Sequence, residues 1–135
     1  MANQKILVVD EDPDIVETTK IVLEANGYQV ATASSGTECL SKVKEVHPDL
    51  IILDVMMNSL TEGFQVTYKL RNPGADKEYA PYARIPILMV TGIRKETQMN
   101  IHPEKAGEFL PVDDFLEKPI QSAVLLEKVK KLLAK

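Results

Sequence analysis

Five short apolar runs, separated by amphipathic stretches, constrain the fold of this chain more than any other feature of its sequence. Runs of about four to eight aliphatic and β-branched residues without a helical period are typical of buried strands. The run Leu50–Leu53 is the most apolar, and we therefore expect it at the centre of a sheet. The five runs are Lys5–Val9, Tyr28–Ala33, Leu50–Leu53, Pro86–Val90 and the pair Phe115-Leu116.

The stretches between these runs carry apolar residues at the spacing of an α-helix. A first helix is predicted to begin at Pro13 and to end at Gly27, because glycine permits a left-handed cap. Ser35–Glu38 has the pattern of a capping box, in which the serine caps a second helix and the glutamate reaches back. Phe64–Arg71 is predicted to be a third helix, and the stretch from Ser122 onward is the clearest helix of the chain.

Strands that alternate with helices indicate βαβ units, with right-handed crossovers and a parallel sheet covered on both faces. We therefore predict an α/β fold, a flavodoxin-like doubly wound five-stranded parallel sheet, formed by residues 1–135 as a single domain. The segment 72–84 is a long connection, and the segment 92–113 should hold the fourth helix. Prolines and a glycine interrupt the second segment, so we expect that helix to be irregular, and the roles of both segments stay open.

Composition and charge narrow the class of protein. The chain has one cysteine, so it can form no internal disulfide, which favours a reducing compartment. No apolar run approaches the length of a membrane span, and we expect a cytoplasmic protein without membrane insertion. The net charge of −4 predicts no direct contact with nucleic acid, which requires a basic face. We interpret the C-terminal lysines as a solvated helix face whose charge suits the helix dipole; they are Lys128, Lys130, Lys131 and Lys135.

Polar residues follow four of the five predicted strands. Asp10 and Glu11 come after the first run, Asp54 after the third, Thr91 after the fourth and Lys118 after the fifth. The carboxyl ends of parallel strands meet at one edge of a doubly wound sheet, so these side chains should converge there. Grouped carboxylates repel one another, and a divalent cation removes that conflict. Oxygen ligands without thiol or imidazole suit Mg²⁺, beside which an aspartate can take up a phosphoryl group.

Four motifs make the chain similar to a known family. The segments VVDEDPDI, LIILDVMM, ILMVTG and FLEKPI, in this order, resemble the receiver domains of two-component response regulators, of the chemotaxis-regulator type. The resemblance extends from about Lys5 to Leu133. It implies that Asp54 is the phosphoacceptor and that Lys118 pairs with a phosphoryl oxygen.

The same resemblance assigns the remaining residues of the expected site. It implies that Thr91 is the hydroxyl that moves onto the phosphoryl group, and that Phe115 stands where the family keeps a rotating aromatic residue. The implied ligands of Mg²⁺ are Asp10, Glu11, Asp54 and the backbone carbonyl of Met56.

The chain departs from the family pattern beside the expected phosphorylation site. Asn58 occupies a position where the family usually has proline, and Gly63 comes one residue later after Asp54 than the pattern requires. We therefore expect a bulged turn there. The segment between Thr91 and Lys118 is also longer than usual.

The predicted function is that of a signalling switch rather than an enzyme. Asp54 would accept a phosphoryl group from a histidine kinase or a histidine phosphotransfer protein, with Mg²⁺ as cofactor, and the chain would catalyse only its own phosphorylation and dephosphorylation. Output would pass to a downstream protein by contact, and the chain would be a monomer or a dimer linked to phosphorylation. The cognate kinase and the target stay unnamed.

Two other classes of function compete with this one: an enzyme, and a binding module of one of two kinds. A Mg²⁺-dependent phosphohydrolase would use the same aspartyl-phosphate, but such enzymes usually carry a second acid two residues after the nucleophile, where this chain has Met56. A phosphate-independent receiver-like adaptor would be expected to lack the key acids or the lysine. A cofactor-binding flavodoxin-like module would need a glycine-rich loop after the first strand, and none is present.

Several residues also have a purely structural interpretation. Asp12 and Asp14 suit the start of the first helix, where negative charge is favoured. Cys39 lies on the apolar stripe of the second helix and is expected in the core. For Phe115, a fixed position in the core and a role in the switch are about equally favoured. Tyr79 and Tyr82, in the long connection, could either form a partner surface or fold back as a hydrophobic clasp.

Overall fold

The computed structural model describes residues 4–54, 70, 82, 84–91, 113–117 and 120–134. For Thr91 and Glu117 the description covers the backbone. In these residues the elements are, in chain order, β1 (Lys5–Val9), α1 (Pro13–Ala25), β2 (Gln29–Ala33), α2 (Gly36–Val46), β3 (Leu50–Asp54), β4 (Ile87–Thr91), β5 (Asp114–Glu117) and α3 (Ser122–Leu133).

The strands form one parallel sheet in the order β2-β1-β3-β4-β5. This order confirms the predicted flavodoxin-like topology. Strand β3 lies at the centre, and all five of its residues are buried. The most apolar run of the sequence therefore occupies the position that is covered on both faces and flanked on both sides.

Helices cover both faces of the sheet, and alternate residues of each strand supply the two cores. On one face, α1 and α3 contribute Leu23, Leu125 and Val129. On the other face, α2 contributes Cys39 and Val43. The strand residues on the first face are Ile6, Val8, Leu50, Ile52, Leu88, Val90 and Leu116; those on the second are Leu7, Val9, Ala33, Ile51, Leu53, Ile87, Met89 and Phe115.

The first helix begins at Pro13 as predicted and ends at Ala25, and Gly27 forms the predicted left-handed cap two residues later. The Asp12 carboxylate accepts a hydrogen bond from the Asp14 N–H at 2.9 Å, and Pro13 occupies the first helical position. At the other end Gly27 has φ 90°, and its N–H donates to the Glu24 carbonyl at 3.0 Å. The next residue completes a Schellman motif, because the Tyr28 N–H donates to the Leu23 carbonyl at 3.2 Å.

The capping box of α2 is present with one difference from the simple pattern. The Ser35 hydroxyl accepts from the Glu38 N–H at 3.1 Å, as expected for the cap residue. The Glu38 carboxylate reaches back one residue further, to Ser34, and accepts from its N–H at 2.6 Å and its hydroxyl at 2.9 Å. The loop between β2 and α2 is therefore fastened to the first turn of the helix.

Two aspartates fasten neighbouring strands where the strands begin. Asp49 directly precedes β3; its N–H donates to the Lys5 carbonyl at 2.7 Å, and its carboxylate accepts from the Lys5 N–H at 2.8 Å. Asp113 directly precedes β5 and repeats the arrangement with Ile87 of β4, at 3.0 Å and 2.8 Å. We call these two pairs the amino-edge clamps.

The long segments fall mostly outside the described residues. The predicted irregular fourth helix and the bulged turn at 58–63 lie outside them entirely. Of the predicted third helix only Leu70 is described, and it is helical and buried. Tyr82 is buried in the second core, and its ring centroid lies 5.5 Å from that of His47, so this tyrosine folds back rather than forming a partner surface. Tyr79 lies outside the described residues.

None of the helices in the described part of the chain has the length and apolarity needed to cross a membrane.

Candidate functional site

The carboxyl-terminal edge of the sheet carries two buried carboxylates on adjacent strands. Asp10 directly follows β1 and is 4% exposed, whereas Asp54 ends β3 and is 3% exposed. The register pairs Val9 with Leu53, and each aspartate comes one residue later. Adjacent strands are about 4.8 Å apart. Among the residues whose side chains the structure describes, no other aspartate or glutamate is buried, so burial singles out two residues of the predicted site.

The backbone around Asp10 fixes the position of its carboxylate. The Asp10 N–H donates to the Ala33 carbonyl at 3.1 Å, which extends the pairing of β1 with β2 beyond the strands themselves. One carboxylate oxygen, Oδ1, accepts from the Asp12 N–H at 2.9 Å. Because Asp12 caps α1, the start of that helix also orients the carboxylate.

Glu11 is exposed and lies beside Asp10 on the wall of a cleft of about 350 Å³. The cleft separates the start of α1 from the loop that leads from β2 into α2. We call it the acidic cleft, and its lining residues are Asp10, Glu11, Pro13, Val16, Glu17, Thr32, Ala33, Ser34 and Glu38. It is an opening that reaches a buried carboxylate of the candidate site.

The remaining predicted site residues are described in part. The Thr91 backbone ends β4, one residue beyond Val90, which pairs with Asp54. Phe115 lies on β5 at 8% exposure, within the second core. In this conformation the burial of Phe115 therefore supports its interpretation as a core residue. Lys118 and Met56 lie outside the described residues.

The described residues supply hard oxygen donors for a metal ion. Nowhere in the described ranges are three His, Cys, Asp or Glu side chains grouped closely enough to hold a metal ion by themselves. Mg²⁺ needs no such group, since it usually takes one or two carboxylates and completes its shell with water and phosphate. Asp10 and Asp54 therefore form a donor set whose chemistry fits Mg²⁺.

Strand β5 has a second attachment that the sequence does not indicate. Lys128 of α3 lies 3.2 Å from both carboxylate oxygens of Asp114, and the two side chains are about one quarter exposed, at 28% and 29%. This differs from our interpretation of the C-terminal lysines as a solvated face, which holds for the exposed Lys130 and Lys131, whereas Lys135 lies outside the described residues. The partners are 14 residues apart, so no local pattern could reveal the pair.

Cys39 takes no part in the site. The thiol is fully buried in the second core, as the sequence predicts, and burial raises its pKa to about 12. A thiol that stays protonated at neutral pH is a poor nucleophile and a poor metal ligand.

Comparisons with known proteins agree with this geometry. The family model described as Response regulator receiver domain matches residues 6–130. The alkaline phosphatase synthesis transcriptional regulatory protein PhoP of Bacillus subtilis is 37% identical over 131 residues, which are 97% of this chain and 49% of PhoP. The response regulator MprA of Mycobacterium leprae is 35% identical over 129 residues, covering 96% of this chain and 50% of MprA. The chain thus spans about half the length of these curated relatives.

Solved structures share the fold over nearly the whole chain. The chemotaxis protein CheY4 of Vibrio cholerae superposes with a TM-score of 0.77 at 30% identity, and the match covers 97% of this chain and 99% of CheY4.

Proposed function

Since the chain belongs to the family of response regulator receiver domains, we propose that it is a switch that is activated when the carboxylate of Asp54 takes up a phosphoryl group. Receiver domains serve two-component signalling as switches rather than as classical enzymes. The observation that carries the proposal is the pair of buried carboxylates, Asp10 and Asp54, on adjacent strand ends. Burying two negative charges is costly, and such costs are typical of functional sites.

The proposed reaction is a direct phosphoryl transfer. A carboxylate oxygen of Asp54 attacks the phosphorus of a phosphohistidine on a histidine kinase or a phosphotransfer protein. A P–O bond forms to Asp54 as the P–N bond breaks, and the nitrogen that leaves takes up a proton from solvent, so that the donor histidine departs as a neutral imidazole. Positioning and neutralisation of charge supply most of the catalysis in such transfers.

We propose Mg²⁺ as the cofactor, held by Asp10 and Asp54, with Glu11 acting directly or through water and with the Met56 carbonyl as a further ligand. When bound, the ion neutralises the charge that collects on the phosphoryl oxygens. The hydrogen bond from the Asp12 N–H supports this role, because it orients the Asp10 carboxylate before any ion arrives.

Three further residues complete the proposed switch. Lys118 would pair with a phosphoryl oxygen, and the Thr91 hydroxyl would move onto the phosphoryl group. Phe115 would then shift within the second core and change the surface around β5 and α3. Such a change is a shift between two packed states, driven by new charge-assisted hydrogen bonds at the site.

The proposed output is contact with another protein, without direct contact between this domain and nucleic acid. The net charge of −4 supports this. One relative, PhoP, is a transcriptional regulatory protein, and the matched region makes up 49% of its length. A receiver joined to further domains would act on them through the same surface.

The decisive test is chemical phosphorylation followed by intact-mass measurement. With acetyl phosphate and Mg²⁺, we expect one added phosphoryl group on the wild-type chain, and none when Mg²⁺ is chelated. Asp54→Asn should take up none, whereas the matched control Asp49→Asn, at the opposite edge of the sheet, should take up one. A folded wild-type chain without adduct would favour the phosphate-independent adaptor, and steady release of phosphate from small esters would favour the phosphohydrolase.

The switch itself is tested by adding beryllofluoride and Mg²⁺ and following backbone amide resonances. We expect shifts at Asp54, Thr91 and Phe115 that are absent in Asp54→Asn. If those resonances stay in place while Mg²⁺ and the mimic bind, phosphorylation does not drive the proposed change.

A further inference from the structure

The acidic cleft opens directly beside Asp10, and every charged residue that the structure describes along its lining is acidic. Asp10 and Glu11, the proposed metal ligands, belong to one wall. Glu17 of α1 and Glu38 of α2 also line the cleft, and neither has a role in the proposed phosphoryl transfer. No lysine, arginine or histidine is among the nine lining residues.

Glu38 is held in place as part of the cleft wall. Its carboxylate accepts hydrogen bonds from the N–H and the hydroxyl of Ser34, which themselves sit at the end of β2. These bonds, with a smaller contribution from Lys42, keep the pKa of the Glu38 carboxyl below its usual value of 4.5. Its negative charge is therefore both fixed in position and present throughout the neutral range.

Clefts lined by charge of one sign concentrate the field within them and raise the local concentration of counterions. We propose that Glu17 and Glu38 strengthen the binding of a divalent cation at Asp10 and Asp54 without contacting it. This inference rests on the proposed function, since it concerns the same metal site. It makes the capping glutamate of α2 a determinant of metal affinity as well as a structural residue.

The size of the effect follows from Coulomb's law. A unit charge about 10 Å from a divalent ion in a solvated cleft changes its binding by on the order of threefold. Salt screens such an interaction strongly, because the Debye length falls from about 10 Å at 0.1 M to about 3 Å at 1 M ionic strength. Removal of a direct ligand, by contrast, would abolish most of the affinity for Mg²⁺ at either salt concentration.

The test measures the affinity of the unphosphorylated full chain for Mg²⁺ by calorimetry or by amide shifts. Glu38→Gln removes the charge but keeps an oxygen that can accept from Ser34. The matched control Glu45→Gln removes the same charge from the same helix, seven residues and about 10 Å further along it. Glu17→Gln serves as a second variant that leaves the cap of α2 untouched.

We expect Glu38→Gln and Glu17→Gln each to weaken Mg²⁺ binding by on the order of threefold at low ionic strength, and by much less at about 1 M salt. Glu45→Gln should have a clearly smaller effect. Equal affinities of wild type and both cleft variants at low salt would overturn this inference alone, as would an equal loss in Glu45→Gln. A wild-type chain that binds no Mg²⁺ would instead overturn the proposed function on which the inference rests.

Discussion

The two edges of the sheet use aspartates in opposite ways. At the amino edge, Asp49 and Asp113 accept hydrogen bonds from the first N–H groups of neighbouring strands, and each clamp joins two strands. At the carboxyl edge, Asp10 and Asp54 are buried at the ends of adjacent strands, where like charges lie close together. The first pair fastens neighbouring strands. The second pair places two carboxylates at adjacent strand ends, an arrangement that we expect to cost stability and that suits the binding of a cation or a phosphoryl group.

The largest expected effect comes from breaking a clamp. Asp113→Ala removes the acceptor of the Ile87 N–H, which lies at the buried start of β4. We expect the free energy of unfolding to fall by about 2 kcal/mol, the cost of leaving such a donor without its acceptor. Denaturant unfolding measures this change, and Asp113→Asn, which keeps an acceptor oxygen, is the matched control. A loss in Asp113→Asn as large as in Asp113→Ala would contradict the role of the hydrogen bond.

At the carboxyl edge, a substitution should change the free energy of unfolding in the opposite direction. Asp54→Asn removes one of two neighbouring buried charges, and in the absence of Mg²⁺ we expect the free energy of unfolding to rise by about 1 kcal/mol. Added Mg²⁺ should stabilise the wild type and not the variant. If Asp54→Asn were destabilised as strongly as Asp113→Ala, the contrast between the two edges would be wrong.

A smaller effect is expected at the ion pair between Lys128 and Asp114. Both side chains are partly exposed, so solvent screens the pair. Lys128→Met keeps the apolar stem and should lower the free energy of unfolding by about 0.5 kcal/mol. Lys130→Met, an exposed neighbour on the same helix, should leave stability unchanged. A double-mutant cycle with Asp114→Asn separates the pair from other contacts, and a coupling of zero would show that the pair does not fasten α3.

The smallest effect is a pH dependence at the carboxyl edge. The pKa of Glu38 is lower in the folded chain than its usual value of 4.5, because Ser34 donates to the ionised carboxylate. Its contribution to stability is therefore fully present above the unfolded pKa and is lost as the pH falls through the folded pKa. We expect the stability difference between wild type and Glu38→Gln to shrink on acidification over that range. A difference that stayed constant from neutral pH into acid would contradict this assignment.

Much of the fold could be predicted because its signals are local. The Schellman motif at Gly27 and the capping serine at Ser35 involve partners within five residues, and the apolar run of β3 carries its own evidence of burial. Asp10 and Asp54 could be placed together because parallel strands put their carboxyl ends on one edge.

Other features lie beyond the reach of any local pattern. Asp49 and Asp113 resemble ordinary turn residues in the sequence, yet their partners are 44 and 26 residues away. Tyr82 was compatible with two opposite positions, and only the packing around it selects the core. The capping box predicts that Glu38 reaches back, but its place on the wall beside Asp10 depends on how β1 and β2 pair.

By itself the sequence determined the alternation of strands and helices, the helix caps and the edge of the sheet at which Asp10 and Asp54 lie. These follow from hydrophobic period and from hydrogen bonds between near neighbours. The tertiary structure alone decided which strand each amino-edge aspartate clamps, that Lys128 meets Asp114, and that the carboxylates of two helices border one cleft. Those contacts form only when distant segments pack together, since their free energy comes from burial and pairing in three dimensions rather than from local backbone preference.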